Sequence, residues 1–351
     1  MAVDTLRVTI KDIAKKASVS VGTVSKVLNG DKSVKDSNRC AVEEAVESLG
    51  YNVNKLARSL AHRPLKIGIM LPEIKFGECF ADMVRGVDRI VKTLADYKVS
   101  AVYATYSKYD DSDDLPALLN SIIEQDVDGI VLGPFHFMGL SDEMLRKLQE
   151  LRIPIVFVLS DLENTQRLAC VTVDAVLSGK TAAELASLVV RTGESVAVFV
   201  GNKDAEEHRL KADSFVKRAN VLGFSTVGVY ETQDEQELAY QLTVSLLRKS
   251  PKLRLIYAAT GNSVAVCRAV CDCGREQDVK IIATDVLPEL RPYVESGLVI
   301  GILDQHMDEQ GAMAVHVLYQ YLSEGTLESR DVKIPPSVLL QSSILHQMKQ
   351  L

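Results

Sequence analysis

TIKDIAKKASVSVGTVSKVLNG, residues 9–30, decides how the whole chain is read. Thr9 followed by Asp12 is a capping-box-like helix start, its hydroxyl placed to take a free amide of the first turn. Ile10, Ile13, Ala14 and Ala17 recur at helical spacing and place one apolar face inward. Ser18-Val19-Ser20 breaks that helix, and Ser20 is a good N-cap for a second one. In the second helix Val24, Val27 and Leu28 face the core, which leaves Val21, Gly22, Ser25 and Lys26 on the opposite side. A third helix follows, with Val42, Ala45, Val46 and Leu49 on one stripe and Gly50 as its stop.

Three short helices whose second carries a small, polar face form a helix-turn-helix arrangement, sized for a DNA major groove about 12 Å wide. A plain three-helix protein-interaction module shares the pattern. Charge leans the same way: residues 1–63 hold 11 Lys+Arg against 7 Asp+Glu, a net +4, while the rest holds 29 against 40, a net −11. A basic head on an acidic body suits a module that meets an anion, although so modest an excess leaves the motif to carry the reading. Asn54 to Ala61 reads as about two turns of helix, capped by Asn54 and stopped by Pro64. That is too short to hold alone in water, so it is either a plain linker or a helix that folds on DNA.

At 351 residues the chain exceeds one ordinary core, and 47% hydrophobic with 25% charged residues is a globular composition. No apolar run approaches the ~18–20 residues of a membrane span, and no secretory h-region opens the sequence. The expectation is a cytoplasmic protein with reduced cysteines. Cys267, Cys271 and Cys273 lack accompanying ligands and read as packing, and no metal is expected. From Leu65 onward β-branched runs alternate with helices. Strands are expected at Lys66–Leu71, Val99–Ala104, Gly129–Leu132, Ile155–Leu159, Ala197–Val200, Thr226–Tyr230, Arg254–Tyr257 and Lys280–Ala283. Helices are expected at Phe80–Tyr97, Asp114–Gln125, Ser141–Leu151 and Ser178–Arg191. The pattern predicts α/β architecture: two doubly wound parallel-sheet lobes with a ligand between them at the strand ends. GxGxxG, P-loop and GxSxG motifs are absent, so neither a cofactor nor catalysis is expected, and the acidic Asp110–Asp114 loop reads as a solvated turn. The alternative is a cytoplasmic sugar-binding or sugar-processing α/β protein.

The opening stretch resembles the DNA-binding headpiece of the LacI/GalR repressors, and LGYNVNKLARSLA at 49–61 resembles their hinge helix. The remainder resembles their type I periplasmic-binding-protein sensor. Residues 281–299 (IIATDVLPELRPYVESGLV) and 301–322 (GILDQHMDEQGAMAVHVLYQYL) look closest to its ribose- and galactose-binding branch. The resemblance implies a helix-turn-helix domain at 1–53, a hinge at 54–64 and a sensor at 65–351. The sensor's N-lobe would span about 65–170 and 304–333, and its C-lobe about 171–303 and 334–351, linked by three crossovers. Val21, Gly22 and Lys26 match the base-reading positions. Thr9, Ser20, Thr23, Ser25 and Asn29 match phosphate-contacting or helix-supporting ones. Leu60 matches the residue that wedges a central base step, beside Ala57 and Arg58. For the effector, the implied residues are Phe80, Ser160, Asp161, Asp174, Lys211, Asn262, Asp285 and Gln305. Lys26 and Lys211 stand where arginine is usual, and Gly261-Asn262 replaces an Asn-Asp pair. The implied partners are a pseudo-palindromic operator, a small sugar-like effector and a second copy of the chain. The C-terminal LLQSSILHQMKQL lacks the leucine heptad that would build a tetramer.

Overall fold

The computed structural model describes residues 8–28, 33–49, 63–72, 78–106, 114–133, 146–147, 150–161 and 165–349. Asn29, the stretch holding Ala57, Arg58 and Leu60, the acidic positions 110–113 and most of the helix expected at 141–151 lie outside the described residues. The chain divides into two compact units, one ending at Pro64 and one beginning at Leu65.

In the first unit α1 spans Ile10–Lys16, α2 Val21–Leu28 and α3 Asp36–Ser48. Asp12 accepts hydrogen bonds from the Thr9 amide at 2.8 Å and the Thr9 hydroxyl at 2.6 Å, which fixes where α1 begins. Those two bonds hold the Asp12 carboxyl below its ordinary value. Ser18 turns the chain at φ 54°, and the Ser20 hydroxyl then accepts the Thr23 amide at 3.0 Å to start α2. Ile13, Ala14, Val24, Val27, Val42 and Ala45 are the buried core. Ile10, expected inside, is 37% exposed, because the stripe of the seven-residue α1 that meets its neighbours begins at Ile13.

The second unit holds two six-stranded sheets. The first runs β11-β5-β4-β3-β1-β2, all parallel, from β1 Leu65–Pro72, β2 Val99–Tyr106, β3 Gly129–Leu132, β4 Ile155–Val158, β5 Ala169–Val173 and β11 Asp331–Ile334. The second runs β12-β10-β9-β8-β6-β7, from β6 Ser195–Val200, β7 Ser225–Glu231, β8 Leu253–Ala259, β9 Lys280–Thr284, β10 Val299–Asp304 and β12 Ser337–Leu339. Its last strand departs from the all-parallel expectation: β12 pairs antiparallel to β10. Strands β3 to β6 are buried at every residue, since helices cover both faces of a parallel sheet. The sheet edges β2 and β7 are partly exposed instead.

The chain passes between the sheets three times: after Val173, after Asp304 and after Ile334. The three passages lie side by side. Val173 pairs with Ile334, Asp304 pairs with Ser337, and the Asp174 amide donates to the Ile334 carbonyl at 2.7 Å. Helix α4 (Glu78–Leu94) packs on α11 (Met307–Glu324), which also covers β3, β4 and β5. The fit depends on two glycines. A Cβ on Gly86 would run into the Asp308 backbone, and one on Gly311 would sit 2.5 Å from the Met83 carbonyl oxygen. Gly86→Ala is therefore expected to destabilise the body by about 1–3 kcal/mol or more, because backbone must move rather than a flexible side chain. Calorimetry reads this as a lowered transition temperature of the body.

Candidate functional site

Two sets of residues have the chemistry to bind something, one in each unit. In the headpiece, Val21, Gly22, Ser25 and Lys26 are exposed along α2 while Val24 and Val27 are buried behind them. A Cβ at Gly22 would meet nothing closer than the Ser20 hydroxyl at 3.7 Å, so the middle of this face is open. Thr9, Ser20 and Thr23 sit at helix starts with their hydroxyls engaged: Thr9 with Asp12, and Ser20 with Thr23 at 2.9 Å. These bonds fix where α1 and α2 begin. Lys26 presents one ammonium, a point charge where a guanidinium would offer a planar fork.

In the body, the residues that follow β6 to β10 converge at the carboxyl ends of the second sheet, where ligands of open α/β sheets bind. Lys211 lies on α7 (Glu206–Val221), held by Phe215 one turn later, which is fully buried and stacks on Tyr257 at 5.2 Å. Helix α6 (Ala175–Ala186) approaches α7 at Gly179, where a Cβ would strike the Lys211 carbonyl oxygen. That contact locates the Lys211 backbone. The Lys211 ammonium donates to Gln305 Oε1. Gln305 Nε2 donates to Asp285 Oδ2 at 2.7 Å, and the Gln305 amide to Asp285 Oδ1 at 3.3 Å. Gln310, on α11, donates to the Gln305 carbonyl at 2.9 Å, so the set continues from the second sheet into a helix of the first. Asn262 donates to the Thr232 hydroxyl at 3.1 Å, and Thr260 donates to Asp234 at 2.9 Å.

These groups are buried, and burial sets their proton affinities. Asp285 is 8% exposed; desolvation and the nearby Asp304 push its carboxyl up to about 6, against Lys211 and the Gln305 bonds. Desolvation likewise pushes Glu207, one turn before Lys211, up to about 7. It lowers the Lys211 ammonium, opposed by Asp285, Glu207 and Asp234. A carboxyl whose folded pKa is raised holds its proton more tightly folded than unfolded, so raising the pH favours unfolding. For Glu207 the window runs from its ordinary 4.5 to about 7. Lys211 acts in the opposite sense up to its ordinary 10.5. Urea titrations at pH 5 and pH 8 are expected to show Glu207→Gln more stable relative to wild type at pH 8 than at pH 5.

Lys211, Asp285 and Gln305 are thus brought together, with Asn262 on the neighbouring strand end. The other expected effector residues have their contacts elsewhere. Asp174 caps α6, accepting the Leu177 amide at 2.9 Å, a structural use at a crossover. Asp161 takes Arg167 Nε at 2.6 Å, and the same guanidinium reaches Asp331 at 2.7 Å, which ties the end of β4 to β11. Ser160 and Phe80 are buried in the first lobe. Sequence reasoning passed over Glu207, Asp234, Thr232, Thr260 and Gln310. Only Glu207 left a signal, a carboxyl four residues before a lysine on one helix. Cys267 is fully buried in the core, whereas Cys271 is exposed. Among the described residues, no helix is long and apolar enough to cross a membrane.

A helix-turn-helix reader in a chain whose larger unit is a pair of crossover-linked α/β lobes defines a DNA-binding regulator with a ligand-binding body. Residues 9–54 match the bacterial regulatory proteins of the lacI family, and residues 67–326 match the periplasmic binding protein domain. The chain belongs to the periplasmic binding protein domain family over most of its length and carries a lacI-family DNA-binding domain at its head. It is 27% identical over 349 residues to catabolite control protein A of Priestia megaterium, covering 96% of this chain and 99% of that one. To the HTH-type transcriptional regulator pepR1 of Lactobacillus delbrueckii subsp. lactis it is 24% identical, covering 97% and 98%. The body has the fold of GanP, a glucose-galactose binding protein from Geobacillus stearothermophilus, with a TM-score of 0.69 and 21% identity over 80% of this chain and 99% of that one. It also matches a periplasmic solute-binding protein of Actinobacillus succinogenes 130z with bound D-allose, with a TM-score of 0.70 and 20% identity over 81% of this chain and all of that one.

Proposed function

We propose that the protein is a cytoplasmic, homodimeric repressor that reads a pseudo-palindromic operator under the control of a small sugar or sugar derivative. The observation that carries this reading is the exposed strip Val21, Gly22, Ser25 and Lys26 on a helix whose other side is buried. Two copies place two such helices in successive major grooves, about 34 Å apart on one side of the duplex. Val21, Gly22 and Lys26 meet base edges, while Thr9, Ser20, Thr23, Ser25 and Asn29 meet phosphates or support the helix. The stretch 54–61 folds on the operator and wedges Leu60 into its central step, with Ala57 and Arg58 alongside, so that unstacking is offset by contact with a kinked duplex. The effector binds between the lobes through Asp285, Lys211, Gln305 and Asn262, with Phe80, Ser160, Asp161 and Asp174 as the further candidates. No reaction is catalysed, and the effector leaves unchanged.

The test is selection of binding sites from randomised duplex DNA. A two-fold symmetric site is expected to be enriched, and failure to enrich any sequence would overturn the reading. Lys26→Ala is expected to relax preference at one base pair in each half-site, by about 1–3 kcal/mol. An equal loss on every sequence, with a reduced salt slope, would make Lys26 a phosphate contact instead.

A further inference from the structure

Helices α6 and α7 pack on the same face of the second sheet, and their backbones meet at Gly179, where a Cβ would strike the Ser214 hydroxyl and the Lys211 carbonyl oxygen. Beside that meeting the two helices line a concavity of about 420 Å³, within the range of small-molecule sites. Its apolar part is Val176 from α6 with Leu210 and Val221 from α7. Val176 is 37% exposed and Val221 75%. A β-branched side chain is a modest helix former and gains nothing from water, so neither residue favours the helix that carries it. Its charged part is Lys180 from α6 with Lys217 and Arg218 from α7, against one carboxylate, Asp213. Arg218 pairs with Glu184 at 2.8 Å, whereas Lys180 and Lys217 have no ion pair among the described residues. The chain from residue 64 onward carries a net −11, so three cations on one concavity reverse the sign of their surroundings.

We propose that this concavity is a second ligand site, and that it takes an organic anion with an apolar body. The acid group is met by Lys180, Lys217 and Arg218, and the hydrocarbon lies on Val176, Leu210 and Val221. Nothing in this assignment depends on what the cleft between the lobes binds. Charge sets the sign of the ligand: three cations against one carboxylate attract an anion and repel an amine. The apolar side chains set its body, since covering them takes exposed hydrocarbon out of water and a bare inorganic anion covers none of it. A sugar fits poorly, because its hydroxyls need acceptors as well as donors. Asp213 is the single carboxylate in the lining, and the Ser214 hydroxyl is turned to backbone, donating to the Leu210 carbonyl at 2.6 Å.

The test uses the full-length protein and three probes of equal chain length, octanoate, octylammonium and octan-1-ol, with inorganic phosphate as a fourth. Titration calorimetry at pH 7 is expected to show octanoate binding about tenfold or more tightly than the amine or the alcohol, with no displacement by an equal concentration of phosphate. The double variant Lys180→Gln, Lys217→Gln changes two exposed side chains and is expected to bring octanoate down to the level of the alcohol without moving the thermal transition. Val221→Asp, also at an exposed position, is expected to abolish octanoate binding, whereas Asp285→Asn is expected to leave it unchanged. Octanoate binding that survives both groove variants, or is lost in Asp285→Asn, lies elsewhere and overturns the assignment, as does no octanoate binding at all. The amine or the alcohol binding as tightly as octanoate overturns the charge of the ligand, and displacement by phosphate overturns its apolar body.

Discussion

Asp285→Asn is expected to weaken effector binding about ten- to a hundredfold while the protein folds and binds its operator in the absence of effector. The loss follows from removing a buried charged acceptor, whose hydrogen bonds are worth about 1.5–3 kcal/mol each. Survival of the fold follows from two further facts. Asp285 sits at φ 59°, in the left-handed region that asparagine tolerates better than other non-glycine residues, so the amide keeps the backbone that alanine would strain. The carboxyl is also held up to about 6 by burial, so exchanging it for a neutral amide removes a desolvation cost. A transition temperature equal to or above that of wild type, with the effector titration of operator binding shifted to about ten- to a hundredfold higher concentration, is the expected pair of results. A normal effector response would remove Asp285 from the site.

Ile13→Ala is expected to abolish operator binding without moving the thermal transition of the body. Ile13 is fully buried in a core of six residues, two of them alanines. Deleting such a side chain costs about 2–5 kcal/mol, and a domain of this size has little stability to spare. No residue of that core belongs to the body, so calorimetry should show the main transition in place while operator affinity falls by more than tenfold. A shift of the main transition by several degrees would mean that the two units unfold together.

How much of this was readable beforehand depended on the length and burial of each element. The strip on α2 was legible because a short amphipathic helix shows its faces through periodicity, and Val24 and Val27 carried the period. Ile10 misled because periodicity assigns a face without saying where along the helix the neighbours begin to cover it. The strand at 129–132 and those beginning at 155 and 280 stood out as apolar runs. Four strands escaped: β5 and β10, although mostly buried and apolar, and β11 and β12, which are four and three residues long, half-exposed and separated by Pro335-Pro336. The effector residues were legible only by resemblance. Nothing local in the sequence distinguishes Asp285, which joins a buried network, from Asp174, which caps a helix. Their difference lies in residues far away in the chain that reach one and not the other.

The crossovers also dictate an order of synthesis. The first sheet takes five of its strands from residues 65–173, but its sixth strand and the helix that covers β3, β4 and β5 come from residues 307–334. While the ribosome makes the intervening residues 174–306, that lobe waits with the outer edge of β5 unpaired and one face bare. Open edges and bare apolar faces are where nascent chains associate wrongly. The second lobe draws most of its strands from one continuous stretch, residues 195–304, and can close first. A chain interrupted between residues 174 and 306 therefore leaves a first lobe that cannot be completed, and the segment from residue 307 to 334 acts as the latch for the beginning of the body.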